Sequence, residues 1–296
     1  MLKTRQIAAR MAAALVVVGG LIAVAAAPGG SQTLEVGEVR GDAYGLFIDL
    51  TSDLDEEEVE GLPVADLVEA ANTGNLQEVD SLLAGTGIDF EAEATSPNPA
   101  LALTIGPIPQ VTLPPDGTPQ TDSLANFSLL GLIGFELAEV ATEGHFGPDG
   151  FVVSTADIEN YFLFGGLLSF AEAINVACEA DLDGVSGSTA IVDGGIPILG
   201  ITYPTTPGPN TNLVDLDISI GPLDLVFNVT FNEQVADEDD ISVDGIHTFL
   251  SLVLNTEGGP VNLITVDKIV AHTSCGVSPI EIPEPRPVPL TPRFAG

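Results

Sequence analysis

Tryptophan is absent from the 296 residues, tyrosine occurs three times and cysteine twice. Positive charge is almost as scarce: seven Lys and Arg stand against 43 Asp and Glu, for a net charge of −36. Each shortage excludes something. A surface so poor in Lys and Arg repels nucleic acid, whose binding rests on phosphate contacts. It disfavours anionic lipid for the same reason. Divalent cations are its natural counterions, and salt would screen its self-repulsion, as in a saline habitat. The lack of Trp counts against a sugar cleft built on stacked rings. Catalytic signatures are missing too. His145, His247 and His272 lie far apart and none sits in an HExxH pattern. Gly184-Val185-Ser186-Gly187 falls short of a GxSxG elbow, and there is no P-loop and no dinucleotide fingerprint. Carboxylates are too numerous for counting alone to exclude a glycosidase pair.

The first residues carry three zones. Lys3, Arg5 and Arg10 make a basic start, Met11 to Val24 is free of charge, and Ala23-Val24-Ala25-Ala26-Ala27 closes with small residues. This is the order of a secretory signal peptide, expected as a helix over 1–26 with cleavage after Ala25 or Ala26. The apolar run is shorter than the ~20 residues a membrane span needs, and no second run is long enough, so no transmembrane segment is expected in the mature chain. Removing three positive charges takes the net from −36 to −39.

What remains is rich in Gly (32) and Pro (22) and 45% hydrophobic overall, a mix suited to many strands joined by turns. Residues 27–40 read as a leader and Ala43 to Leu50 as a first strand. Between them and the next strands, 53–90 opens with the acidic run Asp53 to Glu60. It continues with helical spacing through Val64, Leu67, Val68 and Ala71, then Leu76, Val79, Leu82 and Leu83. Thr73-Gly74-Asn75 breaks the two, giving an ankyrin-like hairpin that must pack on something else, since one such unit cannot bury its own face. Pro97 to Gly117 reads as extended. Strands are expected at Leu132 to Thr142, Phe151 to Phe164, Ser169 to Ala180, Thr189 to Val192, Ile196 to Thr202, Leu223 to Glu233, Ile241 to Leu254 and Val261 to Thr273. Gly147-Pro148-Asp149-Gly150 and Asp193-Gly194-Gly195 read as turns, and Thr205 to Asn212 as a loop. The spacing predicts a mainly β fold, an antiparallel β-sandwich over 41–277 with a helical-hairpin insertion. A Pro-rich, disordered tail is expected over 278–296.

In an exported chain, Cys178 and Cys275 read as one disulfide, the alternative being two buried thiols. Glu179, Asp181, Asp183 and Gly184 imitate the start of a Ca²⁺ loop, but Ala190 stands where the bidentate Glu belongs. Asp237-Glu238-Asp239-Asp240 and the run from Asp53 to Glu60 would also attract divalent ions. Against each stands the plainer reading of a solvated acidic loop.

Several segments in order resemble the actinobacterial choice-of-anchor secreted proteins, most closely the group called choice-of-anchor P. They are Ala43-Tyr44-Gly45, the run GPIPQVTLP from Gly106 to Pro114, the GPDG turn, Ala177 to Ser188, and Pro207-Gly208-Pro209-Asn210-Thr211. Asn232-Glu233-Gln234, Ile241 to His247 and Ala271-His272-Thr273-Ser274-Cys275 complete the set. The resemblance implies a secreted or surface-displayed domain with no catalytic residues to carry over, and it supports pairing Cys178 with Cys275. The chain departs from the pattern in its acidic helical insertion and in lacking an LPxTG-type motif or apolar stop segment. The expected function is therefore a non-enzymatic structural or adhesion protein, secreted or at the cell surface and modulated by cations such as Ca²⁺. Its partners would be envelope or matrix components or other copies of itself, and no nucleic acid. The alternative is an extracellular ligand-binding module for a glycan or mineral surface, with a secreted hydrolase last.

Overall fold

Alternation of apolar and polar residues runs through the longest segments, and each becomes a strand with one face in the core. The computed structural model describes residues 33–73, 75–86, 88, 100–129 and 133–282. These fall in one compact unit, Thr33–Pro283. The expected signal peptide and the tail beyond 282 lie outside the described residues.

The first strand, β1 (Thr33–Ser52), is followed by three helices and then by β2 (Leu101–Thr112). The chain next crosses to a second sheet and runs as a meander through β3 (Gln120–Leu129), β4 (Ile133–His145), β5 (Phe151–Leu163), β6 (Ser169–Asp181), β7 (Gly184–Ile196) and the two-residue β8 (Ile201–Thr202). It returns to the first sheet as β9 (Thr211–Ile220), β10 (Leu223–Ala236), β11 (Asp240–Asn255) and β12 (Pro260–Ile282). The first sheet has the order β2-β1-β12-β11-β10-β9 and the second β3-β4-β5-β6-β7-β8, all pairings antiparallel. The expected β-sandwich is therefore the observed fold. Its one pairing between strands distant in sequence, β1 with β12, joins Thr33 to Ile282 and brings the two ends of the described chain side by side.

Several boundaries move. Residues 33–40, expected as leader, belong to β1, and 278–282, expected as tail, belong to β12; each is the other's partner, and a ribbon of paired backbone satisfies what neither segment's composition signals. Asp193-Gly194-Gly195 is not a turn. It lies inside β7, where Gly195 lets the strand pass close under the Ile201 carbonyl; a Cβ there would come within 2.5 Å of it. β3 carries few large apolar residues, as an edge strand can, whereas β9, also at an edge, does alternate Leu216, Ile218 and Ile220 with exposed Asp215, Asp217 and Ser219, a strand signal present in the sequence.

The insertion folds as α1 (Glu56–Gly61), α2 (Val64–Thr73) and α3 (Leu76–Thr86). Asp55 and Glu58 form a reciprocal capping box on α1, with both bonds at 3.0 Å. Asn75 caps α3 differently: its side-chain oxygen accepts from the Glu78 backbone amide at 3.3 Å and its side-chain amide donates to the Glu78 carboxylate at 2.6 Å. The apolar stripe of Leu67, Val68 and Val79 is fully buried. α2 reaches β9, β10 and the turn Pro197–Leu199 after β7, so the hairpin covers the side of the sandwich where the two sheets part.

Each sheet is interrupted by a line of distorted residues set opposite one another, with pairing in register on both sides. In the first sheet the line is Asn232, Gly245, Ala271 and Gly45, with Asn232 and Ala271 at φ 50° and 59°. In the second it is Asn126, Glu136, Asn160, Glu172 and Asp193, with Asn126, Asn160 and Asp193 at φ 57°, 51° and 39°. Each line adds one residue to every strand it crosses and so flips the in–out alternation together across the sheet.

Candidate functional site

The buried disulfide joins β6 to β12 and therefore one sheet to the other. Cys178 and Cys275 have Cα atoms 5.9 Å apart and are each 2% exposed. Beside it, Thr142 and Ser154 share a buried hydroxyl contact of 2.9 Å, and Ser154 donates to the Ser274 carbonyl at 3.0 Å. Gly41 is required at this seam, since a Cβ would stand 2.7 Å from the Thr142 hydroxyl.

The acidic residues read as cation ligands have separate places. Glu179 stands in β6, and Asp181 closes the hairpin to β7, its Oδ1 accepting from the backbone amides of Asp183 (2.7 Å) and Gly184 (3.1 Å). That is a tight Asx-type turn. Asp240 is held by the Arg40 guanidinium at 2.8 and 3.1 Å, and the Asp239 carbonyl accepts from Val277 at 3.0 Å. In the run from Asp53 to Glu60, Asp53 accepts from the Asn262 amide at 2.7 Å and Asp55 caps α1. Among the described residues no group of three or more His, Cys, Asp or Glu is arranged to hold a metal ion.

The densest polar constellation is one that sequence reasoning missed, on the outer face of the first sheet. His272 Nδ1 bonds Asp244 at 2.5 Å, and its Nε2 faces Asp42 at 3.6 Å. Its ring stacks on Tyr44 at 4.4 Å and 10°. Asp42 also accepts from the Ser274 hydroxyl at 2.5 Å. His247 bridges Glu233 (2.7 Å) and Asp267 (2.8 Å) through its two ring nitrogens. Burial alone would lower the His247 pKa, but the bonds to Glu233 and Asp267 outweigh it and leave the imidazole above its ordinary value. Burial, reinforced by Asp244 and Asp42, pushes the Tyr44 phenol up. The distortion line makes this face. Asp244 and His247 are three apart and would point to opposite sides of a regular strand; Gly245 between them turns both outward, while Ala271 does the same for Asp267 and His272. No local spacing reveals that.

A groove of about 560 Å³ continues this band towards the disulfide, with Arg40, Asp42, Asp237, Asp240, Ser242 and Ser274 among its walls. Arg40 and Lys268 are the only Lys or Arg among the described residues, and Lys268 is 0% exposed. Its ammonium group lies 4.5 Å from the Tyr161 ring centroid and bonds the Tyr161 hydroxyl, beside Ser169 and Tyr203, which share a 2.6 Å hydroxyl contact. Burial pulls the Lys268 pKa down to about 7. Thr248, its neighbour across β11, has a buried hydroxyl with no hydrogen-bond partner among the described residues.

No known protein family, no curated protein and no solved structure matches the chain. Its function is therefore argued from its own geometry.

Proposed function

We propose that the chain is a non-enzymatic protein of the cell exterior, secreted or held at the envelope, that acts as a structural or adhesive element with divalent cations tuning its contacts. The Cys178–Cys275 bond carries this reading: it is buried, it pins one sheet to the other, and such bonds persist on the oxidising side of a membrane. The basic, apolar and small-residue zones of the first 26 residues support export. The resemblance to choice-of-anchor P proteins points the same way. His247 and His272 each have both ring nitrogens directed at carboxylates, which favours a structural use over general base catalysis.

Contact through faces suits the molecule better than strand addition. β2 carries Pro107 and Pro109, β8 is two residues long, and β9 exposes Asp215 and Asp217, which are common ways of keeping sheet edges apart. The outer faces are acidic, so attachment to another anionic surface needs bridging cations. The oxidised chain incubated with envelopes of the producing cell is expected to sediment with them in millimolar Ca²⁺ and to be released by chelator. Equal retention in NaCl of matched ionic strength would contradict the cation-tuned contact.

A further inference from the structure

The second sheet presents on its outer face an apolar groove bordered by carboxylates, away from the polar band of the first sheet. Phe162 and Phe170 are direct cross-strand partners on β5 and β6. They sit in a row whose outer members are glycines: Gly134 opposes Phe162 on β4, and Gly195 opposes Phe170 on β7. The two rings lean apart over those glycines. A Cβ on Gly134 would stand 2.5 Å from the tip of the Phe162 ring, and one on Gly195 would stand 3.5 Å from the Phe170 ring edge. The ground between them is an open groove of about 780 Å³, within the range of small-ligand sites. Phe170 is 38% exposed, so its ring is available from solvent.

The rim is polar and comes from the distortion line of this sheet. There, Asn160, Glu172 and Asp193 all line the groove. The Asn160 amide is committed to Glu136 at 2.7 Å. The carboxylates of Glu172 and Asp193 have no hydrogen-bond or ion-pair partner among the described residues. On the opposite lip Phe164 holds φ 48°, an uncommon conformation for a bulky side chain, and Gly165 and Gly166 continue it at φ 61° and 86°. A Cβ at Gly165 would meet nothing within 4 Å, so this lip faces open space.

A partner must satisfy an apolar floor and unpaired carboxylates together. The carboxylates reject an anion. A fully apolar ligand would bury Glu172 and Asp193 without hydrogen bonds, at a cost of a few kcal/mol each. A ring with C–H bonds on its face and hydroxyls on its edge meets both demands: the C–H groups rest on the electron-rich face of a Phe ring, and hydroxyl donors satisfy the carboxylates. The geometry points to a subsite for the pyranose ring of a neutral sugar, with Phe170 and Phe162 as the stacking surface and Glu172 and Asp193 as hydroxyl acceptors. The chain's few aromatic residues thus include two placed for the contact that its composition argues against. This assignment goes beyond the envelope reading and does not depend on where the protein acts.

The test is a titration of the oxidised chain with cellohexaose, maltohexaose and chitohexaose, followed through the Phe ring resonances by NMR. The expected result is a saturable shift with at least one hexasaccharide, at a dissociation constant of about millimolar. Affinity should fall at least tenfold in Phe170→Ala, whose exposed ring can be lost without loss of fold, and less in Glu172→Gln. Leu34→Ala, exposed on β1 of the other sheet, should bind as the parent does. The assignment is overturned if no hexasaccharide gives a saturable shift, or if Phe170→Ala binds unchanged. It is equally overturned if tetramethylammonium saturates the same resonances where all three sugars fail, which would make the groove a cation site. None of these failures bears on export or on envelope contact.

Discussion

Lys268 on β12 and His247 on β11 lie on paired strands one register position apart, Lys268 facing the core and His247 the outer face, and they respond to pH in opposite directions. Lys268 is depressed to about 7 in the fold against 10.5 when free. Between those values the unfolded chain binds a proton that the folded chain does not, so stability rises with pH across that window, and the penalty is complete below it. Lys268→Met should therefore raise the melting temperature at pH 6 by the equivalent of a few kcal/mol, with the gain fading towards pH 10.5. A loss of stability at pH 6 would show that the Tyr161 contact outweighs desolvation. His247 is raised instead. Its contribution is present below pH 6.5 and lost as pH rises through the folded value. His247→Ala should lower the melting temperature at pH 5 more than at pH 9, and equal losses would show that the charged bridges to Glu233 and Asp267 contribute nothing.

At the scale of elements, the helical hairpin and most strands were legible because their signals are local. Val64, Leu67 and Val68 in α2, and Val79 and Leu83 in α3, keep helical spacing wherever they pack, and the interior alternation of β5 or β10 persists along the strand. The candidate site was not legible for a physical reason. Its carboxylates and imidazoles lie on four neighbouring strands, and they share a face only because Asn232, Gly245, Ala271 and Gly45 shift the alternation at one level. The segments quoted for the family resemblance include these joints: Tyr44-Gly45, Asn232-Glu233, Asp244-Gly245 and Ala271-His272 all lie on the line. Gly245 also abuts the opposing sheet, where a Cβ would stand 2.5 Å from the Val176 methyl. Gly245→Val should cost about 1–3 kcal/mol through overpacking, read as a lower denaturation midpoint at unchanged slope. Leu67→Ala should cost about 2–5 kcal/mol and lower the midpoint of the whole domain. A separate early transition would mean instead that the hairpin folds apart from the sandwich.

For the whole molecule, the disulfide and the charge belong to one argument. A chain of net charge −36 repels itself, most strongly at low salt. A bond closing 97 residues between the sheets constrains the unfolded chain by about 4–5 kcal/mol on the entropy model. The double variant Cys178→Ala/Cys275→Ala should lose stability of that order, and more in dilute buffer than in molar NaCl. The central claim is that the folded molecule exists outside the cytoplasm. The most direct measurement is to trap thiols in intact producing cells with a membrane-permeant alkylating agent, fractionate them, and weigh the chain. The account predicts an extracellular or envelope-bound species lacking about 25 residues from its start, with neither cysteine alkylated. A full-length chain in the cytoplasm carrying two alkyl groups would contradict it.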